Sequence, residues 1–289
     1  MFGFVLSGCS EQMSTEYFYY SPSWTRGGQV IHIYGLQTTS KNIIGTQTGS
    51  SYAESVATME ATAGAAVTAR FDVTSAKPYQ MTCSPSGEYV AYLNDLDSSS
   101  SSYGSVIIRN IAGGSHSGLD LVELAFAANK IKSFDWSNDG TKIVYCTSTE
   151  VRTVNIDGTV DTLVVADTGI EFVSWKYGTM IAFVRTVGSD KILSLINPNG
   201  SARVNFAAAS SVDKPQISSA DTSIIYGLAD GAYCKVDTGT STRTTVLASC
   251  SGELPRLSPD AAKVVYSKTS EATGIYLLDI AAGTETAIR

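Results

Sequence analysis

The chain has 289 residues, of which 43% are hydrophobic and 16% are charged, and its formal net charge is −7. This length is sufficient to bury a core, and an acidic chain without a basic stripe is not expected to bind nucleic acid. No stretch reaches the ~20 consecutive apolar residues that a membrane-spanning helix requires.

The chain opens with a short apolar segment, and we assign residues 1–16 to an N-terminal strand or tether. Its Leu-Ser-Gly-Cys sequence resembles a bacterial lipobox, in which Cys9 would become the lipidated first residue. A signal peptide, however, has a positively charged start and an apolar stretch of ~7–15 residues, and residues 1–8 have neither. Two interpretations stay open: the sequence starts partway through a signal peptide, or residues 1–8 belong to the folded protein.

The next segment is a strand dense in aromatic residues, Tyr17, Phe18, Tyr19 and Tyr20. Side chains alternate along a strand, so Tyr17 and Tyr19 face one side and the other two face the opposite side. One side is expected to pack between sheets, and the other is a candidate contact surface, because a tyrosine ring is apolar and its hydroxyl can be paired. Core packing is the favoured role of these aromatics, and an interaction surface is the alternative.

From this strand onward a short phrase recurs: a strand end, a tight polar turn, and an apolar strand that closes on an aromatic residue. Its copies lie at residues 24–32, 83–92, 136–145, 174–183, 217–226 and 257–266. The closing aromatics are Tyr92, Tyr145, Phe183, Tyr226 and Tyr266, spaced 38 to 53 residues apart. A four-stranded propeller blade takes ~40–45 residues, so this period predicts a repeat architecture.

Each unit also carries a second hairpin, in which Asp or Asn precedes a Gly by a few residues, a pattern typical of turns. In the first unit this hairpin fits residues 56–70, after a Ser/Thr/Gly-rich insertion at 38–52. Four strands per unit form a sheet that cannot bury its own faces, whereas radially arranged sheets cover one another.

The sequence therefore predicts an all-β fold, a single six-bladed β-propeller of four-stranded antiparallel blades, with seven blades as the less favoured alternative. The predicted blades are residues 17–76, 79–127, 131–166, 169–208, 212–249 and 253–289.

The turn of this repeat resembles that of TolB-like propellers, the bacterial relatives of WD40 folds. The residues that carry the resemblance are Ser-Pro-Ser-Gly at 84–87, Ser-Asn-Asp-Gly at 137–140 and Ser-Pro-Asp at 258–260. The resemblance covers about residues 17–289, although the fourth and fifth units lack the full turn. It implies the fold and no particular activity, because propellers carry many unrelated functions.

Residues able to carry catalysis or hold a metal are few. His32 takes the place of a closing aromatic, which favours a core role, and His116 lies in a Gly- and Ser-rich turn. Asp95 and Asp97 are a weak Ca²⁺ candidate, because their run lacks the Gly and Glu of a full loop, and a polar connection is favoured. Hydrolase, haem and phosphate-loop motifs are not found. We therefore predict no catalytic residue, no cofactor and no metal site.

Five cysteines allow two further predictions. Cys83 and Cys146 are expected to be buried free thiols that act as small apolar residues. Cys234 and Cys250 lie in one unit and form a possible disulfide if the loop after the fourth strand folds back. Cys9 is the odd one of the five, consistent with a special role.

Two classes of function fit this pattern, and the favoured one is a non-catalytic, extracytoplasmic propeller that binds proteins, above all copies of itself. An apolar strand at the N-terminus can add to an exposed blade edge of a neighbouring subunit, and a head-to-tail contact of this kind builds a ring or a filament. The predicted interaction residues are Phe2, Phe4, Val5, Leu6, Cys9, Tyr17 and Tyr19.

The alternatives are an envelope lipoprotein with a lipid anchor at Cys9, and a ligand-binding or hydrolytic propeller with a site at the mouth of the central channel. A convergent cluster of carboxylate, Arg and His side chains at one channel end would favour the last of these. A lining of Ser, Thr, Ala and aliphatic residues would oppose it.

Overall fold

Alternating apolar segments between polar turns form twenty-four β-strands in the part of the chain that the computed structural model describes. The described residues are 12–24, 29–41, 47–61, 68–72, 78–94, 104–110, 121–124, 131–217, 221, 223–249, 255–268 and 274–288. Among them the strands assemble, in chain order, into six four-stranded antiparallel sheets, here numbered 1 to 6.

The strand bounds are as follows. Sheet 1 contains β1 (Gln12–Trp24), β2 (Gln29–Lys41), β3 (Gln47–Glu60) and β4 (Thr68–Asp72). Sheet 2 contains β5 (Pro78–Cys83), β6 (Tyr89–Asn94), β7 (Val106–Asn110) and β8 (Leu121–Leu124). Sheet 3 contains β9 (Ser133–Trp136), β10 (Lys142–Cys146), β11 (Glu150–Asn155) and β12 (Thr162–Ala166).

The second half of the chain continues the same order. Sheet 4 contains β13 (Ile170–Ser174), β14 (Ile181–Val187), β15 (Asp190–Ile196) and β16 (Val204–Asn205). Sheet 5 contains β17 (Asp213–Ile217), β18 (Ile224–Ala229), β19 (Ala232–Asp237) and β20 (Thr242–Leu247). Sheet 6 contains β21 (Arg256–Leu257), β22 (Lys263–Lys268), β23 (Gly274–Asp279) and β24 (Thr284–Ala287). A single 3₁₀ turn, Ala208–Ser210, is the helical element of the described residues.

The prediction of a six-bladed propeller is wrong, as is its seven-bladed alternative, because the structure has five four-stranded antiparallel blades. Five of these sheets, 2 to 6, have blade dimensions, with strands of two to seven residues. Sheet 1 departs from them, because β1, β2 and β3 have 13, 13 and 14 residues. Residues 38–41 and 47–52, predicted as part of an insertion, instead continue the β2–β3 ladder, since β-branched Thr fits a pleated strand. The regular repeat therefore forms five blades, and sheet 1 is a long ribbon that also extends into the segment assigned to the tether.

Hydrophobic clusters join each sheet to the next from sheet 2 to sheet 6. Trp136 is fully buried between sheets 2 and 3, and Cys146, Cys234 and Tyr266 lie in the three interfaces that follow. A further cluster packs the base of sheet 1 against sheet 6, and its members are Trp24, Val30, Val265, Ile275 and Ile288. The closing aromatics are all buried and lie on the second strand of sheets 2 to 6, so they hold equivalent positions around one axis.

The polar turns are built as their sequences predict. In sheet 3, Asp139 accepts hydrogen bonds from the Ser137 hydroxyl at 2.6 Å and the Thr141 backbone N–H at 3.0 Å, and these bonds lower the pKa of Asp139. Asp260 makes the same pair of bonds in sheet 6, to Ser258 and to the backbone of the second residue after it. Asp139 and Asp260 therefore stabilise the turns that contain them.

Candidate functional site

The first strands of the sheets end side by side, and one residue of each lines a recess around their common axis. The first strand of each of sheets 2 to 6 is the inner strand, closest to the axis. The residue that lines the recess is the last or second-to-last residue of that strand. We call these residues the inner row: Thr82, Asp135, Ser174, Gln216 and Arg256. The recess measures about 30 Å³, and Trp24, Lys176, Tyr177, Ile217 and Leu257 complete its lining. A water molecule needs about 10–15 Å³ by this measure, so the recess holds one or two waters or one small group.

Asp135 connects sheet 3 to sheet 4 through its carboxylate. Its Oδ1 accepts from the backbone N–H of Trp136 at 2.9 Å. Its Oδ2 accepts from the Ser174 hydroxyl at 2.9 Å and from the backbone N–H groups of Trp175 at 3.0 Å and Lys176 at 3.1 Å. Four donors therefore saturate a carboxylate that is only 8% exposed, and its role is to hold two inner strands together.

Gln216 has the same role between sheets 5 and 6. Its Oε1 accepts from the backbone N–H of Leu257 at 3.0 Å, and its Nε2 donates to the carbonyl of Pro255 at 2.5 Å. Gln80, two residues upstream of the inner row, donates to the Ser133 hydroxyl at 2.8 Å and so joins sheet 2 to sheet 3. Buried polar side chains thus pair with the neighbouring sheet in at least three interfaces.

Two tryptophan side chains also join neighbouring sheets, and each indole N–H donates to the sheet that precedes it around the ring. Trp136 Nε1 donates to the carbonyl of Thr82, an inner-row residue of the preceding sheet, at 3.3 Å. Trp24 Nε1 donates to the carbonyl of Arg256, the inner-row residue of sheet 6, at 3.1 Å. Sheet 1 therefore contacts sheet 6 through the same bond that joins two sheets in the middle of the chain, which closes the ring.

Lys176, which lines the recess, occupies a position that is serine in three other sheets. Ser84, Ser137 and Ser258 hold this place, directly after the inner strand, in sheets 2, 3 and 6, and each accepts a backbone N–H from the start of the second strand. Lys176 is partly buried, and its ammonium lies 5.2 Å from the centre of the Tyr177 ring.

The electrostatic setting of Lys176 is unfavourable to its charge. Desolvation lowers the pKa of Lys176 and the positive charge of Arg256 adds to this shift, whereas the negative charge of Asp135 opposes it. Burial raises the pKa of the Cys83 thiol to about 12, although the nearby lysine acts against the rise. Cys83 is therefore a neutral thiol at neutral pH and supplies no counter-charge to the lysine.

The lining of the recess only partly matches the carboxylate, Arg and His cluster expected of a catalytic propeller. It also only partly matches the Ser, Thr, Ala and aliphatic lining expected of a non-catalytic one. Its lining includes a carboxylate, an Arg and a Lys, together with Thr82, Ser174 and two aliphatic residues. Pockets for drug-sized ligands measure ~300–1,000 Å³, so this recess is too small for a sugar or a nucleotide. A small anion or bound water is what such a site can hold.

A second cavity, a groove of about 410 Å³, lies between sheets 4 and 5, beside the β14–β15 turn, the start of β17 and the β18–β19 turn. Both of its cations are already paired: Lys191 bonds Glu171 at 2.5 Å and Asp213 at 2.9 Å, and Arg243 bonds Asp230 at 2.7 Å. The groove therefore offers no unpaired cation among its described lining residues, in contrast to the recess on the axis.

Most residues predicted to carry function lie outside the described residues. These are Phe2, Phe4, Val5, Leu6, Cys9, Asp95, Asp97, His116 and Cys250. Tyr17 and Tyr19 belong to β1, where they pair with Leu36 and Tyr34, and His32 lies in β2. Cys234 is a buried free thiol, as are Cys83 and Cys146, and the possible bond to Cys250 is not tested by the described residues.

Two features are absent from the described part of the chain. No three His, Cys, Asp or Glu side chains there lie close enough together to hold a metal ion. No helix within the described residues has the length and apolar character needed to cross a membrane.

Sequence reasoning missed the inner row and Lys176. The signal was available, because the inner row occupies one column of the repeat, directly before Cys83, Trp136, Trp175, Ile217 and Leu257. The column varies between Thr, Asp, Ser, Gln and Arg, whereas its neighbours are apolar. A polar column beside an apolar one, at the inner strand of a propeller, indicates side chains that lie between sheets or face the axis.

Comparison with known proteins supports the fold. No protein-family model and no curated protein matches the chain. TolB from Acinetobacter baumannii superposes with a TM-score of 0.64 at 10% identity, over 96% of this chain and 79% of that one. A chain of a nidogen/laminin complex gives 0.59 at 9% identity, over 94% and 92%. An oligogalacturonate lyase in complex with manganese gives 0.55 at 11% identity, over 95% and 77%. At these identities the likeness concerns the fold alone, and that fold is a TolB-like β-propeller.

Proposed function

We propose that this chain is a non-catalytic, extracytoplasmic propeller that binds proteins and assembles with copies of itself through the ribbon of sheet 1. The observation that carries the proposal is the length of that ribbon. β4 pairs with β3 only from Ser55 to Thr58, so from Gln12 to Phe18 of β1 the ribbon has three strands. At about 3.3–3.4 Å per residue, this three-stranded part is about 23 Å long.

A ribbon of this kind offers a strand edge for addition of another chain. Residues 47–54 of β3 pair with β2 on one side, and the described residues supply no strand on the other side. Unpaired N–H and C=O groups along an edge accept an added strand, with backbone hydrogen bonds supplying affinity. The occupant we propose is the apolar N-terminal segment, residues 1–8, of a second copy. Tyr17 would then lie within the assembling part of the ribbon.

The structural neighbours are compatible with this role and with its alternatives. One neighbour is named as part of a complex of two proteins, nidogen and laminin, and another as a lyase in complex with manganese. The fold therefore accommodates both protein contacts and chemistry, and it does not choose between them. A location outside the cytoplasm is supported by the composition of the chain, which is rich in Ser and Thr and has only 16% charged residues.

Assembly of the full chain tests the proposal. Replacement of Phe2, Phe4 and Leu6 together by Ser should leave a folded monomer, because a polar strand buries little apolar surface on addition. Replacement of the same three residues by Val is the matched control and should still assemble, since Val is apolar and favours strands. Light scattering after size-exclusion chromatography, with electron microscopy, measures both. Assembly of the Ser variant at the level of the unchanged chain would refute the proposal.

The lipoprotein alternative has its own test. Intact mass spectrometry of the native protein distinguishes cleavage before Cys9 with a diacylglycerol adduct from an unprocessed chain. A lipid adduct would remove residues 1–8 from the mature protein and with them the proposed assembly strand.

A further inference from the structure

The axial recess carries more positive than negative charge, although the chain as a whole has a net charge of −7. Lys176 and Arg256 line it, and Asp135 is the carboxylate that faces them. With Lys176 protonated, the described side chains that line the recess therefore include two cations and one carboxylate, in a setting where charge interactions are stronger than in water.

Asp135 does not offset this excess by direct contact with the ammonium. Its two oxygens are taken by four donors of sheets 3 and 4, one of which is the backbone N–H of Lys176 and not the side chain. Among the ion pairs of the described residues, none involves the Lys176 side chain. The ammonium instead contacts the face of Tyr177.

The turn does not require a cation at the position of Lys176. Serine at the equivalent place in sheets 2, 3 and 6 completes the turn with a single hydrogen bond. Lysine gives up that bond and incurs a desolvation cost, which is the cause of its lowered pKa. Costs of this kind concentrate at binding sites, where a ligand supplies the missing partner.

We propose that the recess binds one carboxylate group, held between the Lys176 ammonium and the Arg256 guanidinium beside the Trp24 and Tyr177 rings. The volume of about 30 Å³ accommodates the atoms of a carboxylate and little more. The group belongs either to a small free acid or to an acidic side chain of a polypeptide that contacts this end of the channel. This site is separate from the ribbon of sheet 1. The proposal of carboxylate binding can therefore be tested independently of the proposal of self-assembly.

Binding should weaken as the pH rises. The groups that face the lysine are Cys83, Asp135, Tyr177 and Arg256, and desolvation lowers the pKa of Lys176. Above that lowered pKa the amine is neutral and the carboxylate loses one of its two cationic partners. A bound anion raises the pKa of the lysine, so the affinity is constant below the pKa of the unliganded lysine, as long as the carboxylate is ionised, and falls as the pH rises through it.

The test follows the indole N–H signals of the three tryptophans by NMR during titration of the full chain with sodium acetate, at constant ionic strength set with sodium chloride. A saturable shift of the Trp24 signal is expected in the unchanged chain. Lys176→Met should reduce the affinity at least tenfold, whereas Lys176→Arg keeps the charge and should retain binding. Lys235→Met, a lysine of β19 outside the recess, is the matched control and should leave the titration unchanged.

A second arm separates the two sources of the carboxylate. A capped peptide with one central glutamate is titrated in the same way, with its glutamine analogue as the blank. A shift with acetate and with the glutamate peptide identifies a protein-borne side chain, and a shift with acetate alone identifies a small acid. No saturable shift with either probe, or an equal shift in the Lys176→Met variant whose circular dichroism shows it to be folded, overturns the proposal.

Discussion

At the scale of single residues, Asp135 shows how one buried side chain joins two blades. It is surrounded by donors from its own strand and from the next sheet, so its charge is compensated without a cationic partner in contact. Hydrogen bonds to a charged group contribute more than bonds between neutral groups, and removal of the acceptor leaves buried N–H groups without a partner.

Asp135→Ala should therefore lower the free energy of unfolding by about 3 kcal/mol, because at least two buried N–H groups lose their acceptor. Asp135→Asn keeps one oxygen and should cost less. Asp230 has an 82% exposed side chain and pairs with Arg243, so Asp230→Ala is the control and should cost about 0–1 kcal/mol. Urea unfolding of the three variants measures the differences. Equal costs for Asp135→Ala and the control would contradict the proposed joint between sheets 3 and 4.

At the scale of elements, the tight turns depend on where their glycines lie. Gly200 and Gly231 both close hairpins with positive φ, +83° and +78°. A Cβ at Gly200 would lie 2.6 Å from the carbonyl oxygen of Val164 in sheet 3, whereas one at Gly231 would have nothing within 4 Å. The pair therefore separates backbone strain from a clash between neighbouring sheets.

Gly231→Ala should cost about 1 kcal/mol, the strain of a left-handed backbone for a residue with a Cβ. Gly200→Ala carries the same strain and in addition must displace the backbone of β12, so it should cost about 3 kcal/mol in total. Chemical denaturation with unchanged m-values measures both. Equal costs would show that sheets 3 and 4 adjust freely at this contact.

The elements also show what the sequence could and could not predict. The polar turns, the closing aromatics and the propeller class followed from local patterns, because each depends on residues within one repeat. The ribbon of sheet 1 did not, since Ser and Thr at 38–41 and 47–52 suit a loop and a strand alike, and their strand form depends on the pairing of β2 with β1 and β3. The contacts of Asp135 and Gln216 cross between sheets, so they become visible only when the ring is closed.

At the scale of the whole molecule, the ring closes without exchange of a strand between its two ends. Each sheet is continuous in the chain, so sheet 1 and sheet 6 are joined by side-chain packing and by the bond from Trp24 to the Arg256 carbonyl. Trp136 makes the equivalent bond between sheets 2 and 3. The two tryptophans therefore provide an internal comparison between the closing interface and an ordinary one.

We expect the closing interface to be as strong as the ordinary one. Trp24 is 5% exposed and Trp136 is fully buried, so replacement of either by Ala should cost about 3–5 kcal/mol through loss of apolar contact and the cavity left behind. Replacement by Phe keeps most of the ring and should cost about 1 kcal/mol, chiefly the indole hydrogen bond. Urea unfolding followed by circular dichroism measures all four variants.

The measured unfolding free energies of the Trp24 and Trp136 variants show whether sheet 1 contributes to closure of the ring. A cost below about 1 kcal/mol for Trp24→Ala, beside a full cost for Trp136→Ala, would mean that sheet 1 does not contribute to closure. Similar costs and a single transition in both variants would mean that the ring unfolds as one cooperative unit. In that case the base of sheet 1 is as firmly held as any blade, and its three-stranded end can engage a partner without loosening the ring.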